Sequence, residues 1–107
     1  MLLHEKDALR SITKQLRKIF SDRIVAVYAF GSRVRGDHDT WSDFDILVVV
    51  KNRSPRIESE IVNVIVDEEM KRGLSFSPVI KDVKSFEMEK KFRTPFYENI
   101  TKEGVLL

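Results

Sequence analysis

Two aspartates one residue apart, Asp43 and Asp45, stand at the start of the apolar run at 46–50 (ILVVV). Alternate residues of a β-strand project from the same face, with their Cα atoms roughly 6.6 Å apart. The two carboxylates can therefore converge on one cation, or on two cations that share ligands. Mg²⁺ prefers oxygen ligands and binds through one or two carboxylates together with substrate phosphates. The spacing predicts a Mg²⁺ (or Mn²⁺) site at the start of this strand.

A loop suited to phosphate binding lies upstream of the aspartates. Gly31 and Ser32 follow an apolar run at 23–30 (RIVAVYAF), whose β-rich composition is typical of a buried strand. Glycine lets a phosphate approach the backbone closely. If a short helix begins at Arg33, its first N–H groups also favour an anion. Gly36 then turns the chain toward the aspartates, so we expect phosphate and cation to bind side by side.

Two charged pairs in the loop leave alternatives open. Either Arg33 or Arg35 could neutralise phosphate charge, or one of them could instead pair with Asp37 or Asp39. A purely structural interpretation is also available, with a tight turn at Gly31, a solvated loop and two edge aspartates. That interpretation does not explain why two acids open a strongly apolar strand.

The glycines, serines and aspartates of this region form the pattern G-S-x-x-x-G-x-x-x-x-x-S-D-x-D, from Gly31 to Asp45. With this pattern and the closing segment at 94–105 (TPFYENITKEGV), the chain resembles the MNT-type minimal nucleotidyltransferases of the DNA polymerase β superfamily. The resemblance implies transfer of a nucleoside monophosphate from a nucleoside triphosphate to a hydroxyl acceptor, with release of pyrophosphate. ATP is the expected donor.

The resemblance also implies roles for individual residues and for a partner. Catalysis and metal binding would belong to Asp43 and Asp45. Nucleotide binding would belong to a larger set, namely Gly31, Ser32, Arg33, Arg35, Gly36 and Ser42. For the minimal members, the resemblance points to an antitoxin that works beside a helical HEPN-type ribonuclease toxin.

The chain departs from the family pattern on the next strand, predicted at 74–80 (LSFSPVI). Ser77 stands where the family usually carries a third carboxylate, with Ser75 on the same face. Serine is a poor base and a weak metal ligand. Asp82 lies roughly 16 Å further along a strand and on the opposite face. Two functions therefore remain open: an active nucleotidyltransferase, and a catalytically weak module that binds nucleotide or toxin.

Composition limits the remaining classes. A length of 107 residues predicts a single nucleotidyltransferase domain over 1–107. The net charge of +2 is too mild to demand nucleic acid, and a template-binding polymerase needs further domains. The absence of cysteine excludes disulfides and thiolate metal sites. No apolar run approaches the roughly 20 residues of a membrane span, so we expect a cytoplasmic protein. A free strand edge would allow pairing with a second copy or with a helical partner.

The remaining segments must position the site. Their periodicity and caps predict helices at 5–20, from Pro55 to about Arg72, around 86–92 and from Pro95 to Gly104. Ser54 would cap the start of the second of these and Gly73 its end, and Asp82 or Ser85 would cap the third. Together with the strands, they predict an α/β (α+β) fold, in which helices pack on a nucleotidyltransferase-like mixed β-sheet of about three strands.

Overall fold

The computed structural model describes residues 3–31 and 44–107. Within these ranges the chain forms four α-helices, one 3₁₀ turn and four strands. In chain order they are α1 (Leu3–Phe20), the 3₁₀ turn (Ser21–Arg23), β1 (Ile24–Phe30), β2 (Phe44–Val50), α2 (Pro55–Arg72), β3 (Phe76–Asp82), α3 (Val83–Phe92), α4 (Pro95–Glu103) and β4 (Val105–Leu106).

The strands form one mixed sheet in the order β3-β2-β1-β4. β2 runs parallel to β3 and antiparallel to β1, which also pairs antiparallel with β4. The mixed α+β architecture confirms the predicted fold class. The prediction of about three strands was one short, because β4 contributes only Val105 and Leu106, opposite Ala29 and Tyr28. Two residues are too few to produce an alternating pattern in the sequence.

Helices cover both faces of the sheet, and β2 lies at the centre of the packing. Its even-numbered residues, such as Phe44 and Ile46, join a core with the apolar sides of α1 and α2. On the opposite face, Leu47 and Val49 pack with Phe86 of α3 and with Ile100 of α4. A strand covered on both sides reads as a continuous apolar run, which explains the composition of residues 46–50.

The expected helix caps are present. At the start of α2, Ser54 Oγ accepts a hydrogen bond from the backbone N–H of Ile57 at 3.3 Å, and Gly73 ends the helix with a φ of 66°. At the start of α3, the carboxylate of Asp82 accepts a hydrogen bond from the backbone N–H of Lys84 at 2.9 Å. Asp82, rather than Ser85, is therefore the cap of this helix.

The third strand was predicted two residues too early. β3 begins at Phe76, opposite Phe44, and continues to Asp82, opposite Val50. Its limits are set by this pairing with β2, a contact between distant segments that local composition does not encode.

A buried polar cluster joins α1 to α2. Glu68 is only 2% exposed, and its carboxylate accepts hydrogen bonds from Gln15 at 2.7 Å, Arg72 at 2.9 Å and Ser11 at 3.0 Å. Burial by itself raises the pKa of Glu68, but these hydrogen bonds together with the Arg72 charge lower the pKa below its ordinary value. Glu68 is therefore held as a carboxylate.

Across the two described ranges, no helix is both long and apolar enough to cross a membrane. The cytoplasmic location and the single domain over 1–107 stay predictions.

Candidate nucleotide and metal site

The last residue described before the phosphate loop packs directly against the carboxylate of Asp45. Gly31 follows Phe30, which is the cross-strand partner of Asp45. A Cβ atom placed on Gly31 would overlap Asp45 Oδ2 and would lie 3.2 Å from Cγ. Gly31 also has a φ of 97°, in the left-handed region that favours glycine. Both space and backbone conformation therefore require glycine here, and they bring the start of the loop and the carboxylate together.

The exposure of Asp45 distinguishes it from the rest of its strand. It is the only partly exposed residue of β2, whereas the other six are buried. Its odd-numbered position places its side chain on the face that α3 and α4 cover, beyond Leu47. A polar residue is tolerated at this position because the strand emerges from the core here.

Ser77 lies beside Asp45 in the sheet. The two residues are register partners in the parallel β2–β3 pair, so their side chains project from the same face. The sequence placed Ser77 near the acidic residues, and the register puts it beside Asp45. Over residues 3–31 and 44–107, no group of three or more His, Cys, Asp or Glu side chains could hold a metal ion. The residue next to Asp45 on β3 therefore carries a hydroxyl group and not a carboxylate.

The two other polar residues considered on this strand, Ser75 and Asp82, add no carboxylate to the site. Ser75 precedes β3, and its backbone carbonyl accepts a hydrogen bond from Phe44 N at 3.1 Å. Asp82 ends the same strand, where its carboxylate accepts hydrogen bonds from the N–H groups of Arg53 and Lys84, both at 2.9 Å. These hydrogen bonds, that of Arg53 first, lower the pKa of Asp82. Asp82 is a structural residue at the far end of the strand.

An aromatic and charged cluster that sequence reasoning missed lies on the same face as Asp45. The ring of Phe96 meets that of Phe30 edge-on, with centroids 5.7 Å apart. Lys81 Nζ lies 4.6 Å from the Phe96 centroid and 2.7 Å from Glu89 Oε2. Thr94 Oγ1 donates to the other oxygen of Glu89 at 3.2 Å. The alternation of side chains along the strand could have revealed part of this cluster, because residues 77, 79 and 81 share one face.

This cluster fixes where the two last helices meet the site. α3 ends at Phe92, and Thr94 begins α4 by accepting a hydrogen bond from Tyr97 N at 3.3 Å. Phe96, in the first turn of α4, packs on Phe30, the residue before Gly31. The corner between α3 and α4 therefore lies at the end of the central strands that carries Gly31 and Asp45.

Several predicted site residues lie outside the described ranges. They are Ser32, Arg33, Arg35, Gly36, Ser42 and Asp43. Asp37 and Asp39, the alternative partners of the arginines, also lie outside them. The roles of all these residues stay predictions.

A mixed sheet with a glycine turn packed on a strand-borne aspartate is the arrangement that the resemblance to nucleotidyltransferases implies. The chain belongs to the nucleotidyltransferase domain family, whose model matches residues 9–107. This membership confirms the nucleotidyltransferase predicted from the sequence.

Two relatives from Methanocaldococcus jannaschii, provisionally named protein adenylyltransferases, match almost end to end. One is 28% identical over 100 residues, which cover 92% of this chain and 94% of the relative. The other is 26% identical over 106 residues, which cover 98% and 99% respectively.

Two solved structures match this chain, and the first of them supports the fold. A toxin–antitoxin structure with AMP-PNP contains a chain that matches with a TM-score of 0.56 at 15% identity, covering 98% of this chain and 72% of that one. A crystal structure of a provisionally named nucleotidyltransferase from Sulfolobus solfataricus has a TM-score of 0.47 at 24% identity and covers 96% of this chain and 84% of that one.

Proposed function

We propose that this protein transfers AMP from ATP to a hydroxyl group of another protein, and that Mg²⁺ or Mn²⁺ is required. The observation that carries the proposal is the contact between Gly31 and the Asp45 carboxylate. It joins a backbone that a phosphate can approach to an oxygen ligand for a hard cation, which is the arrangement that nucleotidyl transfer needs.

The described donor atoms suit such a cation. Asp45 supplies carboxylate oxygens, Ser77 adds only a weakly ligating hydroxyl on the same face, and Asp43 would add a second carboxylate. Oxygen-only ligands favour Mg²⁺ or Mn²⁺ over softer metals. When bound, the ion would neutralise charge on the phosphate oxygens.

The chain's own residues would orient the reactants. The backbone at Gly31 and Ser32 would receive triphosphate oxygens, with Arg33 or Arg35 compensating their charge. Ser42 would support the turn before Asp43. The acceptor hydroxyl would then attack the α-phosphorus, and the bond to the departing pyrophosphate would break. Because Ser77 is a poor base, the proton of the acceptor hydroxyl would pass to solvent.

The choice of a protein acceptor rests on the relatives. Two of them are named protein adenylyltransferases, and the toxin–antitoxin neighbour shares the fold. We therefore propose that the acceptor is a partner protein, and that a HEPN-type toxin is that partner. A homodimer through a free strand edge stays a prediction.

Ser77 favours a second candidate function. Its position beside Asp45 leaves the described site without the third carboxylate that the family resemblance implies. In this alternative, the protein binds nucleotide, or binds its toxin partner, with little transfer.

Labelled ATP separates the two functions. The protein, Mg²⁺ and a HEPN-type partner protein are incubated with α-labelled ATP, and the label on the partner is measured. An active transferase labels the partner, and Asp45→Asn abolishes the label. Asp67→Asn, which changes an exposed carboxylate of α2, is the matched control and retains it. Nucleotide binding without any label would favour the binding module.

A further inference from the structure

The outer side of α3 carries two large apolar residues in solvent. Met88 is 51% exposed and Phe92 is 66% exposed. They are four residues apart in the helix and therefore adjacent on its surface. The opposite side of α3 is anchored by Phe86, whose ring contacts those of Tyr28 and Tyr97. The exposed pair is thus not needed to hold the helix on the sheet.

An open groove follows the same side of the helix. It has a volume of about 490 Å³ and is lined by Val83, Lys84, Glu87, Met88 and Lys91. Its lining combines the apolar Val83 and Met88 with charged side chains, a composition that suits an amphipathic helix.

The charge of this surface selects the partner. Lys84 and Lys91 line the groove and Arg93 follows the end of the helix, all three exposed, against the single exposed acid of α3, Glu87. Lys81 and Glu89 neutralise each other through their 2.7 Å ion pair. Two copies that met through this surface would bring like charges together. Acidic residues around an apolar stripe are the complementary chemistry.

The C-terminal end of α3 lies close in the chain to a residue that packs beside the candidate site. The helix ends at Phe92, and the corner that follows leads through Phe96 to Phe30, beside Gly31. A partner that lay along α3 would reach the end of the central strands where Asp45 lies.

We propose that the outer surface of α3, defined by Met88, Phe92 and the groove beside them, docks an acidic amphipathic helix of the acceptor protein. This inference rests on the proposed function. Docking here would hold the acceptor beside the site and would explain how this nucleotidyltransferase domain selects a protein substrate.

A designed peptide tests the docking directly. The probe is a fluorescent peptide of about 18 residues, long enough to form a helix when bound, with leucines one turn apart and glutamates on their flanks. A second peptide carries lysine in place of every glutamate. Binding to the whole protein is measured by anisotropy. We expect the acidic peptide to bind about tenfold more tightly than the basic one.

Matched variants locate the binding surface. Met88→Ser with Phe92→Ser should weaken binding of the acidic peptide about tenfold. The control is Val66→Ser with Met70→Ser, which removes an equally spaced exposed pair from α2, where Met70 is 81% exposed; it should have no effect. Lys84→Glu with Lys91→Glu should reverse the preference between the peptides.

Four results would overturn the inference. They are equal binding of both peptides, equal effects of the α2 and α3 variants, tighter binding of a single-stranded RNA of similar length, and self-association lost in the α3 variant. Affinity for Mg²⁺ and AMP-PNP is measured in parallel. The α3 variant should retain this affinity and Asp45→Asn should lose it, so a failed docking surface and a failed nucleotide site give different results.

Discussion

Asp45 and Ser77 lie side by side on neighbouring parallel strands, and their side chains project from the same face of the sheet. This pairing puts a hydroxyl where a second acid could share a cation with Asp45. It makes one substitution especially informative.

Ser77→Asp should increase metal-dependent transfer and make folding depend on metal. Two carboxylates in register repel each other, which costs up to about 1 kcal/mol without a cation. For a domain of this size we expect the melting temperature in EDTA to fall by roughly 4–8 °C, and Mg²⁺ to restore it. Differential scanning fluorimetry and the labelled-ATP assay measure the two effects. Ser59→Asp, on the exposed side of α2, is the control. Equal Mg²⁺ responses of the two variants would contradict a cation between residues 45 and 77.

Gly31→Ala should destabilise the protein and abolish nucleotide binding. The new methyl group would overlap the Asp45 carboxylate and would sit at a φ of 97°. Strain of this kind costs about 1–3 kcal/mol. Gly73→Ala provides the matched comparison, since Gly73 also has a positive φ, 66°, but no atom lies within 4 Å of its Cβ position. Urea unfolding of both variants isolates the contact with Asp45. If Gly31→Ala costs no more than Gly73→Ala, the two residues are not packed as described.

Asp43→Asn with Asp45→Asn should leave the melting temperature in EDTA unchanged or raise it. Removing two crowded anions relieves repulsion when no cation is present. Scanning calorimetry with and without Mg²⁺ measures this, and the double variant should also lose any stabilisation by Mg²⁺. A fall of many degrees in EDTA would instead mean that these acids are structural.

Glu68 should make stability depend on acid pH. Its pKa is lower in the folded state than in the unfolded chain. Its stabilisation is therefore complete above the ordinary glutamate pKa of about 4.3, and it is lost as the pH falls through the lowered folded-state pKa. Glu68→Gln should flatten that part of the curve. The measurement is the free energy of unfolding in urea from pH 7 to pH 3. Parallel curves for the two proteins would show that Glu68 is not the group responsible.

The sequence predicted the parts of the fold that local chemistry determines. Ser54 and Gly73 identified both ends of α2, and the apolar run after Asp45 identified the strand β2. β4 was not predicted, because two residues are too few to show the alternating pattern of a strand. The limits of β3 depend on its register with β2, which is set by contacts between distant segments.

The site divides in the same way. Gly31 was predictable as the end of β1, because a glycine after an apolar run marks a turn. The ion pair between Lys81 and Glu89 was not, because it joins a strand to a helix that folds back over it. The exposure of Met88 and Phe92 was not predictable either, because the sequence does not show which side of a short helix packs on the sheet.

The most direct test of the central claim is calorimetric titration of the protein with AMP-PNP in the presence and absence of Mg²⁺. If the site is built on Gly31 and Asp45, the wild-type protein and Asp67→Asn bind the nucleotide in a Mg²⁺-dependent manner, and Asp45→Asn weakens that binding by about tenfold or more, a loss of about 1.4 kcal/mol. Equal, Mg²⁺-independent affinities for wild type and Asp45→Asn would contradict the account.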